Sequence, residues 1–280
     1  MGFTFDDQSD KGVPLEKMRT ILKVNPKSAE RIFPYLGGRE LNSDPAHRHH
    51  RYVINFEAMT KAEANHWPEL MQILQETVYP LRSNHKDTNV RKYPWWQHWN
   101  RRDRLYANIA SSPRVLLTNA QAAAHLCFSF YEGRAIFANS INVINLSDWA
   151  SFAILQSRIH EVWAKAFSTS LGDQIRYNPT TCFRTFPRPT NNLDELNRIG
   201  KTYHNFRAKL MKNTKEREAL MNGLDPEGLT ETYNKFHRKS CHLSGITKLR
   251  KLHAEMDQAV ANAMGWHDLS LDYDWIDQFT

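Results

Sequence analysis

A chain of 280 residues, 41% hydrophobic and 24% charged, has ordinary globular composition and can bury one sizeable core or two modest ones, which sets disorder aside. No stretch approaches the roughly 18 uninterrupted apolar residues of a membrane span, and MGFTFDDQSDKG has neither the basic flank nor the apolar core of a secretion signal, so a soluble, cytoplasmic protein with no membrane partner is expected. The net charge of +7 is clustered: residues 82–104 hold seven Lys/Arg against two Asp, and residues 238–251 add five with no acid. Such clusters fit either a polyanion partner or a solvated basic face.

Along the chain, SDPAHRHHRYVINF (43–56) comes first, with three histidines and two arginines in His47 to Arg51 ahead of an apolar run. Strand geometry would put His47, His49 and Arg51 on one face and Arg48 and His50 on the other. Thr60 and Glu63 have capping-box spacing, and Trp67, Leu70, Met71, Leu74 and Val78 then recur at helical intervals until Pro80, which predicts one surface helix. Trp95 and Trp96 are expected to pack into a core. RVLLTN (114–119), AHLCFSFY (124–131) and RAIFANSINVINL (134–146) read as strands, with Glu132-Gly133 turning a hairpin between the last two.

Ser147 and Asp148 cap a helix predicted to bury Trp149, Phe152, Ala153, Ile159, Trp163, Ala166 and Phe167 and to end at Gly172. After TTCFRTFPRPT the pattern is helical only. One stripe runs Leu196, Ile199, Tyr203, Phe206, Leu210; a second runs Leu249, Leu252, Met256, Val260, Ala263 before Gly265. Pro187 and Pro189 mark a boundary between an α/β part, residues 1–189, and a helical part, residues 190–280. The three cysteines, Cys127, Cys182 and Cys241, are odd in number and far apart, so all are expected to be reduced.

Five ordered blocks carry a resemblance: IFPYLGGRELNSDPAHRHHRYVINF, WW at 95 and 96, RYNPTTCFRTFPRP, GLTETYNKFH and LRKLHAEMDQAVANAMGWHDL. Together they resemble the C-terminal portion of large bacterial adenine-specific DNA methyltransferases of the MmeI kind, single-chain restriction–modification enzymes and their methylase-only relatives. The resemblance implies an α/β (α+β) target recognition domain followed by an all-α C-terminal domain. It also implies a sequence-specific double-stranded DNA partner, a methyltransferase domain upstream in cis, and S-adenosylmethionine as that domain's cofactor. Residues 1–35 would be a linker remnant, and the chain an excised portion or a truncated reading frame. His49, His50, Arg51 and Tyr52 are implied to be an element of the fold where the recognition domain begins.

Adenine methyltransfer needs a cofactor loop of the F-x-G-x-G type and an NPPY-like loop to hold a flipped base. The chain contains no Gly-x-Gly, and its Asn-Pro pairs, Asn25-Pro26 and Asn178-Pro179, continue as Lys-Ser and Thr-Thr. No acidic-x-Lys tripeptide is present for a metal-dependent nuclease. The chain alone is therefore expected to have no catalytic residue, metal or cofactor.

Base reading needs forked side chains: Arg for guanine, Asn or Gln for adenine. Asn139 and Asn142 in ANSIN, and Gln174 and Arg176 in DQIR, are the reading candidates. Asn119 and Gln121 lie in TNAQAAAH, a block that departs from the more basic version the resemblance leads one to expect, so they are not counted among the reading candidates. Arg48, Arg51, Arg91, Lys92, Arg101, Arg102 and Arg104 are the backbone-contact candidates, which would fix register without carrying sequence information. Two other readings stay open: a stand-alone metal nuclease using His47 to Arg51, and a scaffold that does not bind DNA.

Overall fold

The computed structural model describes residues 2–121, 123–171, 174–271 and 273. Its strands in chain order are β1 Thr4–Phe5, β2 Ile32–Leu36, β3 Arg51–Ile54, β4 Arg114–Asn119, β5 Ser129–Glu132, β6 Ile136–Phe137, β7 Ile141–Ile144, β8 Thr169–Leu171 and β9 Gln174–Arg176. Two compact units share them. The first comprises Met1–Leu36, His49–Ser111 and Gly133–Ala138; the second comprises Gly37–Arg48, Ser112–Glu132 and Asn139–Thr280.

In the first unit, β3 lies between β1 and β2, antiparallel to both, and β2 runs parallel to β6 on its other side. Helix Leu15–Val24 supplies Met18 and Ile21, one turn apart, and helix Pro68–Thr77 supplies Leu70, Met71, Ile73 and Leu74. With Phe5, Val53, Ile54 and Phe56 they form one core. Trp95 and Trp96 pack against it as expected, edge to face with each other, and Trp96 Nε1 donates to the Met59 carbonyl at 2.9 Å.

The predicted helix of residues 60–78 is two. Thr60 and Glu63 do form the reciprocal cap, but only over the single turn Lys61–Ala64. A new helix starts at Pro68, whose missing N–H costs nothing in a first turn. For the same reason Pro80 opens the turn Tyr79–Ser83 instead of ending the pattern.

In the second unit, β4 is flanked by β5 and β7, both antiparallel. The long strand expected over 134–146 is divided: β6 pairs with β2 in one sheet and β7 with β4 in the other, so Glu132-Gly133 does not join a hairpin. Residues 124–128 leave the ladder, and the Phe128 N–H goes to Gln156 Oε1 instead of a strand partner.

The second unit's longer helices are α1 Trp149–Gln156, α2 Arg158–Phe167, α3 Leu193–Met211, α4 Leu229–His237 and α5 Ser244–Ala263. Asp148 caps α1 as predicted, accepting from the Ser151 N–H at 2.7 Å. The expected single helix breaks at Ser157, which is extended and caps α2 through the His160 N–H. The break changes the facing of α2, so Ala166 and Phe167 are exposed rather than buried. α2 ends at Phe167; Gly172, its expected stop, lies outside the described residues.

α3 packs against both α1 and α5. The approach to α1 is close: a Cβ on Gly200 would stand 2.3 Å from the Trp149 carbonyl oxygen, so only glycine fits there. Along α5 the buried line is Ile246, Leu249, His253, Met256 and Val260. Leu252 is only partly buried, because Arg250, His253 and Asp257 take inward positions. The architecture is thus the expected mixed α/β N-terminal part followed by helices.

Candidate nucleic-acid interface

Three segments of the second unit meet at one end of its sheet. The Asn142 amide on β7 donates to the carbonyls of Asn119 (3.2 Å) and Tyr177 (3.1 Å). The Ala120 N–H goes to the Ser140 carbonyl, and Ala123 exchanges backbone hydrogen bonds with Ile175 at 3.0 Å. Residues 119–121, 123, 139–142 and 174–177 are thereby held as one surface. β8 and β9 form an antiparallel ribbon in which Ile175 is buried while Gln174 and Arg176, two residues apart, are exposed on the opposite face.

The structure therefore places Asn139, Gln174 and Arg176 on this surface, exposed, together with Gln121. Asn142 is there too, but its amide nitrogen is committed to the two carbonyls, which leaves its Oδ1. Asn119 is tied by both amide atoms to Asn42.

The backbone-contact candidates fall in both units. Arg48, in the second, is exposed and ion-paired to Asp44 at 3.2 Å. Arg51, Arg91, Lys92, Arg101, Arg102 and Arg104 are in the first. Arg51 lies over the Tyr35 ring and 3.9 Å from Asp6, a position that braces β3. Arg91 and Lys92 are exposed in the last turn of helix Thr88–Lys92. Arg101 is held by Gln97 and Asp103, Arg102 occupies the N-cap position of helix Asp103–Ile109 with a left-handed backbone (φ 53°) and no side-chain capping bond, and Arg104 is exposed on that helix.

The alternating faces expected for residues 47–51 do not form. His47 sits in a left-handed turn (φ 53°) and the strand begins only at Arg51. His47 Nε2 shares a 2.7 Å hydrogen bond with Ser129 Oγ, and His49 lies edge-on to Tyr52. Among the described residues, no three His, Cys, Asp or Glu side chains gather as metal ligands would.

Several basic residues prove to be internal fasteners. Arg250, in the second basic cluster, is 1% exposed and donates to the carbonyls of Lys235, Phe236, Arg238 and Cys241, closing the C-terminal end of α4. Arg217 does the same for the Leu210, Leu224 and Asp225 carbonyls. Arg207, also 1% exposed, donates to Gln156 Oε1, Tyr233 Oη and the Phe128 carbonyl. Sequence reasoning missed it, although its place on the Tyr203–Leu210 face of α3 was a visible signal.

Burial governs the histidines. It brings His47 and His98 down to about 4 and His160 and His204 to about 3, so all four are neutral at pH 7. His160 has no exposed surface and shares a 2.9 Å hydrogen bond with Tyr177 Oη. The three thiols are free; Cys127 and Cys182 are buried. Among the described residues, no helix is long and apolar enough to cross a membrane.

A family model described as the MmeI target recognition domain matches residues 3–190. Among solved structures, the Type IIL restriction-modification enzyme MmeI, determined in complex with DNA, shares the fold at a TM-score of 0.63 and 16% identity, over 99% of this chain and 32% of that one. The chain thus spans about a third of that protein's length. No curated protein matches it.

Proposed function

The chain belongs to the family of the MmeI target recognition domain, and on that premise we propose that it reads the sequence of double-stranded DNA. The single observation that carries the reading is the exposed Gln174–Arg176 pair on one face of a short β-ribbon. The major groove admits a two-stranded ribbon, and these two side chains are the forked groups that read adenine and guanine there. Asn139 stands on the same surface, and Asn142 contributes through its remaining Oδ1 while its nitrogen braces the surface.

Arg91, Lys92 and Arg104, all exposed, are assigned to phosphate contacts. Arg48, Arg101 and Arg102 join them by exchanging or extending their present contacts. Arg51 acts indirectly, by holding β3. The boundary between the recognition and helical parts is proposed at residue 189, next to the end of the family match at 190, although residues 139–280 on both sides of it belong to one compact unit. A methyltransferase domain in the same polypeptide, using S-adenosylmethionine, would act on the duplex that this part selects; the residues here supply selection only.

Selection from randomised duplexes tests the reading. Enrichment of one short consensus by the purified chain is expected, whereas retention of all sequences alike would reject it.

A further inference from the structure

We propose that a cavity in the second unit, lined by Arg114, Arg207 and Lys212, binds a phosphate group. Its volume is about 390 Å³, and the other residues facing it include His47, Ser129, Trp149 and His204. The proposal rests on this cavity and is independent of the reading surface described above.

Charge is the first reason. Arg207 is 1% exposed, and every acceptor its guanidinium meets is neutral: an amide oxygen, a phenol oxygen and a backbone carbonyl. Neutral acceptors satisfy N–H groups but leave the positive charge uncancelled, which is costly away from water. Arg114 is stacked against Phe130 and Trp149, 4.0 and 3.8 Å from the ring centroids, with its Nε donating to the Ser147 carbonyl. Lys212, also on the lining, is exposed. Against these three permanent cations, the described lining has a single carboxylate, Glu132.

Unused hydrogen-bonding capacity is the second reason. The buried Nδ1 atoms of His47 and His204 have no partner in good hydrogen-bonding geometry; the Leu41 backbone and the Asn205 side chain interact with the two rings only weakly. Burial, helped by the positive charge of Arg207, keeps both rings neutral, so each can donate one N–H without further charge. Cations with several convergent donors suit a tetrahedral oxyanion, and Arg in particular pairs with phosphate through two parallel bonds.

The group could arrive on a DNA strand or on a small molecule. Calorimetry of the full chain with inorganic phosphate, and duplex binding with and without added phosphate, separate these sources. Two variants probe the cavity: Lys212→Gln, at an exposed position that leaves the fold intact, and Arg114→Gln, used only if it melts cooperatively. Lys212→Gln is expected to weaken phosphate binding roughly tenfold, the loss of one charge-assisted contact. If duplex affinity falls with it and phosphate competes with duplex, the DNA backbone is the source; if duplex affinity holds while phosphate binding falls, a small phosphorylated molecule is. Phosphate binding indifferent to Lys212→Gln, or no saturable phosphate binding together with unchanged duplex affinity, overturns the proposal. Neither result bears on sequence preference, which tests the reading surface separately.

Discussion

Asn42 and Asn119 exchange both of their amide hydrogen bonds, Nδ2 to Oδ1 in each direction at 3.0 Å, and so tie helix Gly38–Ser43 to the end of β4. Asn119 stands beside the proposed reading residues, yet its side chain is occupied internally. Asn119→Ala would strand the two Asn42 amide groups and is expected to cost about 1 to 3 kcal/mol. Thermal melting measures that loss, and the selected DNA consensus should be unchanged. A variant that melts with the parent removes Asn119 from the scaffold.

The contact of α3 with α5 supplies a second expectation. Leu249 has no exposed surface whereas Leu252 is only partly buried. Leu249→Ala should therefore cost about 2 to 5 kcal/mol, through lost transfer energy and the cavity left behind, and Leu252→Ala clearly less. Urea denaturation of the two variants compares them directly. Equal losses would place Leu252 in the core after all.

Stability should fall on acidification. A buried histidine held neutral in the fold, but free to protonate near pH 6.5 when unfolded, makes the unfolded state bind more protons below that pH. His160, brought down to about 3, contributes fully above about pH 6.5, and that contribution is lost progressively as the pH falls below it toward the folded-state value. His47, His98 and His204 act in the same direction. The urea midpoint should be lower at about pH 5.5 than at about pH 7.5. A midpoint that rises instead would contradict the neutral burial of His160.

Much of this fold was legible because local signals and tertiary packing agree: RVLLTN is β4 residue for residue, Asp148 caps α1, and the Leu196–Leu210 stripe lies inside α3. The failures lie where one apolar run serves two masters. Residues 134–146 alternate like a single strand, but β6 and β7 join different sheets, a long-range outcome that periodicity cannot show. Ser157 looked like helix interior and is a cap, since a serine reads alike in both places until its backbone is known. At the candidate site, the shared face of Gln174 and Arg176 was readable from period two. The commitment of Asn142 to Tyr177, 35 residues away, was not.

The chain should not transfer methyl groups by itself. Neither a Gly-x-Gly cofactor loop nor an NPPY-like loop occurs in its sequence. Incubation with labelled S-adenosylmethionine and mixed-sequence duplex should leave no more label on DNA than a buffer control does. Turnover above that control would require a methyltransferase site of another kind in these 280 residues.

The central claim is that the β8–β9 ribbon reads bases while the arginines of the first unit hold phosphates, and one comparison tests it most directly. Affinities of the parent, Arg176→Ala and the Arg102→Ala/Arg104→Ala double variant are measured for the selected duplex and for a random duplex over a range of salt. Arg176→Ala should lose about 1 to 3 kcal/mol on the selected duplex and almost nothing on the random one. The double variant should weaken both alike and flatten the salt slope by about one unit per lost phosphate contact. If Arg176→Ala lowers both affinities by the same factor, Arg176 touches phosphate, and the assignment of the ribbon as the reading element is wrong.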